Sequence, residues 1–274
     1  MQASSGRRSR VTGNFHKDIQ QVAFAMADAA RFAILPYFRA DGLVAENKLA
    51  SGFDPVTEGD RAGEAAMRAV LAERRPEDGI FGEEMGRSAG TSGLTWVLDP
   101  IDGTRGFMSG TPTWGVLIAL SDETGPIFGI IDQPFIGERF AGGLGLAQVE
   151  GPQGRRALQT RKGSCLAEAT VFTTFPEVGS AEDAAGFRAV SEKARLTRYG
   201  MDCYAYALVA AGQVDLVIEA GLNDYDVQAP IAVIEAAGGI VTDWQGGKAH
   251  EGGRVLAAAN PQVHAEALEI LRQY

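Results

Sequence analysis

The stretch Trp96-Val97-Leu98-Asp99-Pro100-Ile101-Asp102-Gly103-Thr104-Arg105 constrains this chain more than any other. Trp96 to Leu98 is a short apolar, β-prone run, and Pro100 cannot donate a ladder hydrogen bond, so the spacing predicts a buried strand that stops at Asp99. Two carboxylates then stand where a strand ends, separated by a stiff Pro-Ile turn. Gly103-Thr104 follows with two backbone N–H groups and a hydroxyl that little side-chain bulk obstructs. Hard cations take carboxylate oxygens, and anions take free N–H groups. One short segment supplies both, as a site handling a metal-bound phosphate requires. Asp-Pro and Asp-Gly are also ordinary turn dipeptides, so the stretch alone fits a surface turn equally well. Upstream, Gly79-Ile80-Phe81-Gly82-Glu83-Glu84 is a second short apolar run ending in carboxylates. Two strands that both end in acids argue against the turn, because clustered like charges repel unless a cation joins them.

Charge narrows the range of partners. With 25 Lys and Arg against 35 Asp and Glu, the net charge of −10 argues against a nucleic-acid or anionic-membrane surface, although phosphate remains accessible where metal ions intervene. Cys165 and Cys203 are too few for a disulfide framework and lack metal-ligand spacing, so a reducing, cytoplasmic setting is expected. No run approaches about 18 uninterrupted apolar residues, so no membrane span is expected. Residues 1–13 carry Arg7, Arg8 and Arg10 with no acid before Asp18, lack the apolar run of a secretory signal, and read as a frayed, flexible tail.

The rest of the 274 residues reads as one module of two halves, 14–150 and 151–274. Val22, Ala25, Met26, Ala29, Phe32 and Ala33 recur at three and four, predicting a helix from Phe15 to about Phe38 with Asn14 as N-cap and Pro36 ending or kinking it. Residues 47–50 and 53–57 read as extended chain around a turn. Glu58-Gly59-Asp60 opens a second helix to about Arg74, in whose first turn Asp60 is favoured by the helix dipole alone. Thr113–Leu120, Pro126–Asp132 and Glu138–Gly142 read as successive antiparallel strands, and the Gly-rich stretch from Gly142 to Gly154 marks a soft boundary. Beyond it strands (Thr170–Thr174, Leu196–Tyr199, Val214–Glu219, Ile240–Thr242, Val255–Ala258) alternate with helices (Ser180–Lys193, Cys203–Ala211, Asp226–Ala237, Val263–Gln273). An α/β half therefore follows an α+β half.

Several phosphate-handling devices are missing. There is no G-x-x-x-x-G-K-[ST] loop, neither cysteine has an arginine six positions on, and His16, His250 and His264 are scattered in surface settings. A D-x-D-G-T phosphatase places one residue between its aspartates, whereas Pro100 and Ile101 both intervene here. Metal-assisted hydrolysis with water as nucleophile remains, and it needs carboxylates converging from several elements. Glu83, Asp99 and Asp102 are the first three.

Gly82-Glu83-Glu84, Asp99-Pro100-Ile101-Asp102-Gly103-Thr104 and Tyr225-Asp226 resemble, in order and over nearly the whole chain from about residue 15, the inositol monophosphatase superfamily of Mg²⁺-dependent phosphatases. The resemblance implies a layered αβαβα sandwich, a homodimer and two to three Mg²⁺ ions. Glu83, Asp99 and the Ile101 carbonyl would hold the first ion; Asp99, Asp102 and Asp226 the second; Glu83 would help with a third. Within Val56-Thr57-Glu58-Gly59-Asp60, Asp60 would orient the attacking water together with Thr104, which replaces its reading as a structural first-turn acid. Gly103 and Thr104 would also donate N–H groups to phosphate. Tyr225-Asp226 departs from the family's Trp-Asp while keeping an aromatic ring. Pro230, in or just after the first turn of the last-ligand helix, is tolerable where opening N–H groups lack partners.

Gly129-Ile130-Ile131-Asp132-Gln133-Pro134, Glu138-Arg139-Phe140, Arg198 to Tyr206 and Glu219-Ala220-Gly221-Leu222 resemble the histidinol-phosphatase branch. Asp202 and Glu219 would then flank the pocket beyond the phosphate, where an acidic pair suits a substrate with a protonated amine. Asp202 reads equally well as a helix N-cap. Arg105 is a candidate for orienting the site and equally for a structural salt bridge. Inositol phosphate, fructose bisphosphate and phosphoadenosine phosphate are alternative substrates. A non-catalytic metal-binding scaffold is the contrasting class, and it has no need of a water-orienting pair.

Overall fold

The computed structural model describes residues 3–42, 45–47 and 55–274. Helix α1 (Ala3–Ile34) precedes a short antiparallel pair, β1 (Ala45–Asn47) and β2 (Pro55–Thr57), and helix α2 (Glu58–Arg74) follows at once. Strands β3 (Gly79–Gly82), β4 (Gly86–Ser88), β5 (Thr95–Asp102), β6 (Gly115–Asp122), β7 (Gly125–Gln133), β8 (Glu138–Gly143), β9 (Leu146–Gly151) and β10 (Gly154–Ala157) form one sheet. Its order is β10-β9-β8-β7-β6-β5-β3-β4, and the short helix α3 (Thr104–Ser109) joins β5 to β6. In the second sheet, β11 (Thr170–Thr173), β12 (Leu196–Tyr199), β13 (Leu216–Leu222), β14 (Ile240–Thr242) and β15 (Gly253–Ala258) take the order β12-β11-β13-β15-β14. Between these strands run α4 (Ala181–Ser191), α5 (Cys203–Ala210) and α6 (Asp224–Ala236), and α7 (Pro261–Leu271) closes the chain.

Alternating side chains stack these elements into five layers, the expected αβαβα sandwich. Trp96, Leu98, Ile118 and Ile130 face α1 and α2, where Ile19, Met26, Ile34, Met67 and Leu71 cover them. Val97, Leu117 and Ile131 face the other way, onto α5 and α6. The same two helices cover Val217 and Ala257 of the second sheet, whose opposite face, through Leu216, Ile218 and Leu256, packs on Phe187 and Val190 of α4 and Val263 and Leu268 of α7. Successive strand residues point to opposite faces, so each sheet buries both.

Several local expectations need correction. Helix α1 begins at Ala3, so residues 3–13 are helical rather than a frayed tail and Asn14 lies inside the helix, not at its cap. It ends at Ile34, two residues before Pro36, because proline disfavours helical backbone in the residue before it. The turn expected between 47–50 and 53–57 lies outside the described residues. Strand β5 does not stop at Asp99 but runs to Asp102, since an irregularity in its pairing with β6 between Asp99 and Asp102 accommodates Pro100. The Gly-rich stretch holds β9 and β10, which keep the chain in the first sheet as far as Ala157. Helix α6 starts at Asp224, so Pro230 sits beyond the first turn and its missing N–H leaves the Asp226 carbonyl without its helical donor. Among the described residues no helix is long and apolar enough to cross a membrane.

Helix α6 lies so close to the first sheet that a Cβ at Gly142 would fall 2.5 Å from the Val233 Cα. Backbone cannot yield as a side chain does. Gly142→Ala is expected to destabilise the fold by about 1–3 kcal/mol, the usual cost of overpacking, measured as a lowered urea midpoint at unchanged slope.

Candidate active site

Strands β3 and β5 run parallel, with Gly82 opposite Leu98. Both chains therefore deliver the residue after that pair to the same edge, and the Glu83 N–H donates to the Leu98 carbonyl at 3.1 Å. Glu83 and Asp99 emerge side by side, close enough for the charge of Glu83 to act on Asp99. Asp99 is 1% exposed, and its Oδ1 accepts the Ile101 N–H at 3.0 Å, an Asx turn that fixes the rotamer. Asp102 Oδ2 accepts the Cys203 N–H, the first of helix α5, at 2.5 Å. Asp226 comes from the first turn of α6, where its Oδ2 accepts the Asn223 N–H at 2.6 Å. Carboxylate oxygens of Asp99, Asp102 and Asp226 all lie within 4.8 Å of one another.

Such proximity is costly. Burial pushes Asp99 well above the usual carboxylate range, and the charges of Glu83, Asp102 and Asp226 push it further. Asp102 is raised by burial and then by Asp202 and Asp226. Burial takes Asp226 up to about 7 against the pull of the Asn223 N–H, with Glu83 adding to the rise. The charges acting on Asp99 are those of other acids, and every donor is oxygen, so the chemistry of the set fits a hard divalent cation. Asp99, Asp102 and Asp226, with Glu83 beside Asp99, are the residues that could hold it. The Ile101 carbonyl accepts the Thr104 hydroxyl at 3.1 Å, which leaves it a second lone pair.

Asp60 is fully buried and serves two neighbours. Its Oδ2 accepts the Thr57 N–H at 2.8 Å and the Thr57 hydroxyl at 2.6 Å, completing the capping box that opens α2. Its Oδ1 faces the Thr104 hydroxyl at 3.3 Å. The first-turn role read from the sequence and the pairing with Thr104 thus coexist on one carboxyl. Burial pushes Asp60 up to about 6, opposed by the Thr57 hydrogen bonds and helped by the Glu83 charge. Gly103 precedes Thr104 with φ 87°, where a side chain is strained, and a Cβ there would fall 2.7 Å from the Asp202 Cγ.

Asp202 does not cap α5. Its backbone has φ 47° and ψ −143°, and its side chain makes no cap hydrogen bond; instead it lies over Gly103 and Gly106 and accepts the Thr113 hydroxyl at 3.2 Å. Burial raises it, while Thr113 and the Arg105 charge hold it down. Arg105 is exposed, with its guanidinium 5.1 Å from the Phe175 ring centre. Glu219, 7% exposed at the irregular end of β13, accepts the Thr174 N–H at 2.6 Å and the Thr174 hydroxyl at 2.9 Å. Burial takes it up to about 7 against those bonds.

Sequence reasoning missed Glu64. It is fully buried on α2, pairs with Arg68 at 2.7 Å, and accepts the N–H groups of Glu84 at 2.7 Å and Met85 at 3.2 Å. It thereby clamps the turn that carries Glu83, and a Cβ on Gly82 would collide with it. The available signal was its place four residues after Asp60, on the same helix face. Glu64→Ala removes the carboxylate that pairs with Arg68, which keeps Ser88 and the Gly86 carbonyl, and leaves the Glu84 and Met85 N–H groups without this acceptor, so it is expected to lower the unfolding free energy by about 3–5 kcal/mol, as for other broken buried pairs. A urea-melt loss no larger than the ~0.5 kcal/mol of a surface substitution would show the clamp to be idle.

Comparisons with known proteins agree with this geometry. The sequence pattern described as the inositol monophosphatase family matches residues 16–274. The bifunctional phosphatase IMPL2, chloroplastic, of Arabidopsis thaliana is 39% identical over 91% of this chain and 74% of its own length. A histidinol-phosphatase of Streptomyces coelicolor is 34% identical over 93% of this chain and 97% of its own, and an inositol-1-monophosphatase of Caulobacter vibrioides is 33% identical over 90% and 99%. Among solved structures, an inositol monophosphatase from Zymomonas mobilis superposes with TM-score 0.81 at 39% identity, covering 94% of this chain and 98% of the other. Fold, carboxylate cluster and relatives converge: the chain belongs to the inositol monophosphatase family, whose enzymes are metal-dependent phosphoric monoester hydrolases.

Proposed function

We propose that this phosphatase hydrolyses L-histidinol phosphate to L-histidinol and inorganic phosphate, with Mg²⁺ held by Glu83, Asp99, the Ile101 carbonyl, Asp102 and Asp226. Identity with relatives does not choose the substrate, because histidinol and inositol phosphatases stand at nearly the same distance. The observation that carries the choice is Asp202. A non-glycine residue at φ 47° and ψ −143° costs on the order of 1–3 kcal/mol and persists where surrounding structure imposes it. Here the strain turns a carboxyl toward the site side of Gly103 instead of onto its own helix. Glu219 lies near enough for the Asp202 charge to raise it. Two acids on one wall favour a substrate with a protonated amine, whereas an inositol ring offers only neutral hydroxyls.

Bound among these carboxylates, Mg²⁺ supplies charge neutralisation for the phosphoryl oxygens and lowers the pKa of a water. The chain's own groups do the positioning. The one Thr104 hydroxyl proton is shared between two acceptors in reach, the Ile101 carbonyl and Asp60 Oδ1; turned onto Asp60 when the carbonyl is engaged by the cation, it leaves the Thr104 lone pairs to accept from an attacking water, and Asp60 receives the water's proton. A base raised to about 6 is deprotonated at neutral pH yet close enough to it to exchange protons. The Gly103 and Thr104 N–H groups bind the phosphate, and Arg105 stands at the rim beside Asp202.

Purified protein with Mg²⁺ is expected to show kcat/KM at least about ten-fold higher for L-histidinol phosphate than for inositol 1-phosphate, a difference of about 1.4 kcal/mol in transition-state binding; equal or reversed values overturn the assignment. Asp99→Asn removes a charge shared by the cluster. It should keep the fold and lose more activity than the roughly 100-fold typical of disturbing a group that supports a metal ligand; near-normal turnover would remove Asp99 from the metal set.

A further inference from the structure

The hairpin of β3 and β4 carries Glu83 in its turn, and the first turn of α6 carries Asp226. Each acid follows an aromatic ring: Phe81 stands two residues before Glu83, and Tyr225 immediately before Asp226. The two rings meet, with centres 5.8 Å apart and planes inclined at 56°. Arg87, the cross-strand partner of Phe81, adds a second link beside them. Its guanidinium carbon lies 3.7 Å from the centre of the Phe81 ring, a cation over an aromatic face, and one of its amino groups pairs with Asp224 Oδ2 at 3.1 Å. One side chain therefore spans from the strand that leads to Glu83 to the residue that opens α6. The same turn is held from α2 as well, where Glu64 accepts the N–H groups of Glu84 and Met85 and Arg68 donates to the Gly86 carbonyl at 2.5 Å.

These contacts oppose a force that the site itself creates. Glu83 and Asp226 are like charges, and the Glu83 charge reaches Asp226. Without a cation between them, repulsion drives hairpin and helix start apart. Segments held at the binding distance in advance lose less freedom when the ion arrives, so affinity rises without any new contact to it. The Arg87 side chain is 67% exposed, and ion pairs in such a setting add little to global stability. A link of this kind shows in the geometry of the ligands it spans, not in the strength of the fold. The sign of its charge makes the two effects separable. Arg87 is itself a cation near a cation site, so its field alone opposes a metal ion, and only its hold on the ligands favours one.

We propose that Arg87 is a positioning residue: by bridging Phe81 and Asp224 it latches the Glu83 hairpin to the start of α6 and presets the spacing of the metal ligands that the two segments carry. Arg87 acts through those ligands and not on the ion. This role rests on the assignment of Glu83 and Asp226 to the metal set, and it is independent of the choice of substrate.

The test is calorimetric titration of Mg²⁺ alone, at fixed ionic strength, into the wild type and its variants. Arg87→Met keeps most of the stem and deletes the charge; it is expected to weaken Mg²⁺ binding about ten-fold, the lower end of what groups orienting metal ligands contribute, with the urea midpoint unchanged. Arg87→Lys, which can still pair with Asp224, is expected to recover most of the loss. In an Asp224→Asn background Arg87→Met should cost nothing more, because the latch is already open. Binding that is unchanged or tighter in Arg87→Met, a loss matched by a lowered urea midpoint, or an undiminished loss in the Asp224→Asn background overturns the latch. A wild type that binds no Mg²⁺ defeats the metal assignment and the latch with it, whereas a preference for inositol 1-phosphate over L-histidinol phosphate defeats the substrate assignment alone.

Discussion

Mutual repulsion among buried acids is the constraint on which this structure depends. Two unit charges about 4 Å apart at an effective dielectric of about 20 repel by roughly 4 kcal/mol, and the whole of a domain's stability is about 5–15 kcal/mol. Asp99, Asp102 and Asp226 cannot all be ionised in this setting at that cost. The molecule answers in two ways. Their affinities for protons rise, as the directions for Asp99 and Asp102 and the value of about 7 for Asp226 show. A divalent cation would do the same work more effectively, because it converts each repulsion into a shared attraction.

Helix starts supply the remaining compensation. Asp60 and Asp226 occupy equivalent positions in α2 and α6, each bonding the N–H of its capping residue. One oxygen of each carboxyl is thereby spent locally, which stabilises the helix by about 0.5–2 kcal/mol as caps do, and the side chain is fixed in one rotamer. The second oxygen is left to the site. Asp102 uses the first N–H of α5 in the same way. Stability and function draw on the same hydrogen bonds, so these acids need no separate scaffold to hold them in place. Glu64 extends the scheme by fixing the Glu83 turn to the same helix that carries Asp60.

Topology decides which ends meet. In an otherwise antiparallel run, the parallel pair β3 and β5 brings two C-terminal strand ends to one edge. The layer of α5 and α6 between the sheets then presses their starts against that edge. In the second sheet, the parallel pair β11 and β13 brings Thr174 and Glu219 together near their own C-terminal ends. Ends of parallel strands are where ligands bind in open α/β sheets.

The chain announced by itself whatever is decided within a few residues. Asp99 and Asp102 flank Pro100-Ile101, Glu83 follows a short apolar strand, and alternating or three-and-four spacing marks the elements, so the carboxylate pairs and the α+β then α/β order were legible, whereas the end of β5, which runs past Pro100 to Asp102, was not. Only the packed layers decided that Asp226 joins Asp99 and Asp102, that Asp60 divides its oxygens between Thr57 and Thr104, and that Asp202 abandons its own helix for Gly103. Glu64 stayed invisible for the same reason: a buried acid on an alanine-rich helix carries no local mark of which distant loop it will face. Backbone preferences reach along a few bonds, whereas the meeting of remote side chains is settled by which faces must be kept from water.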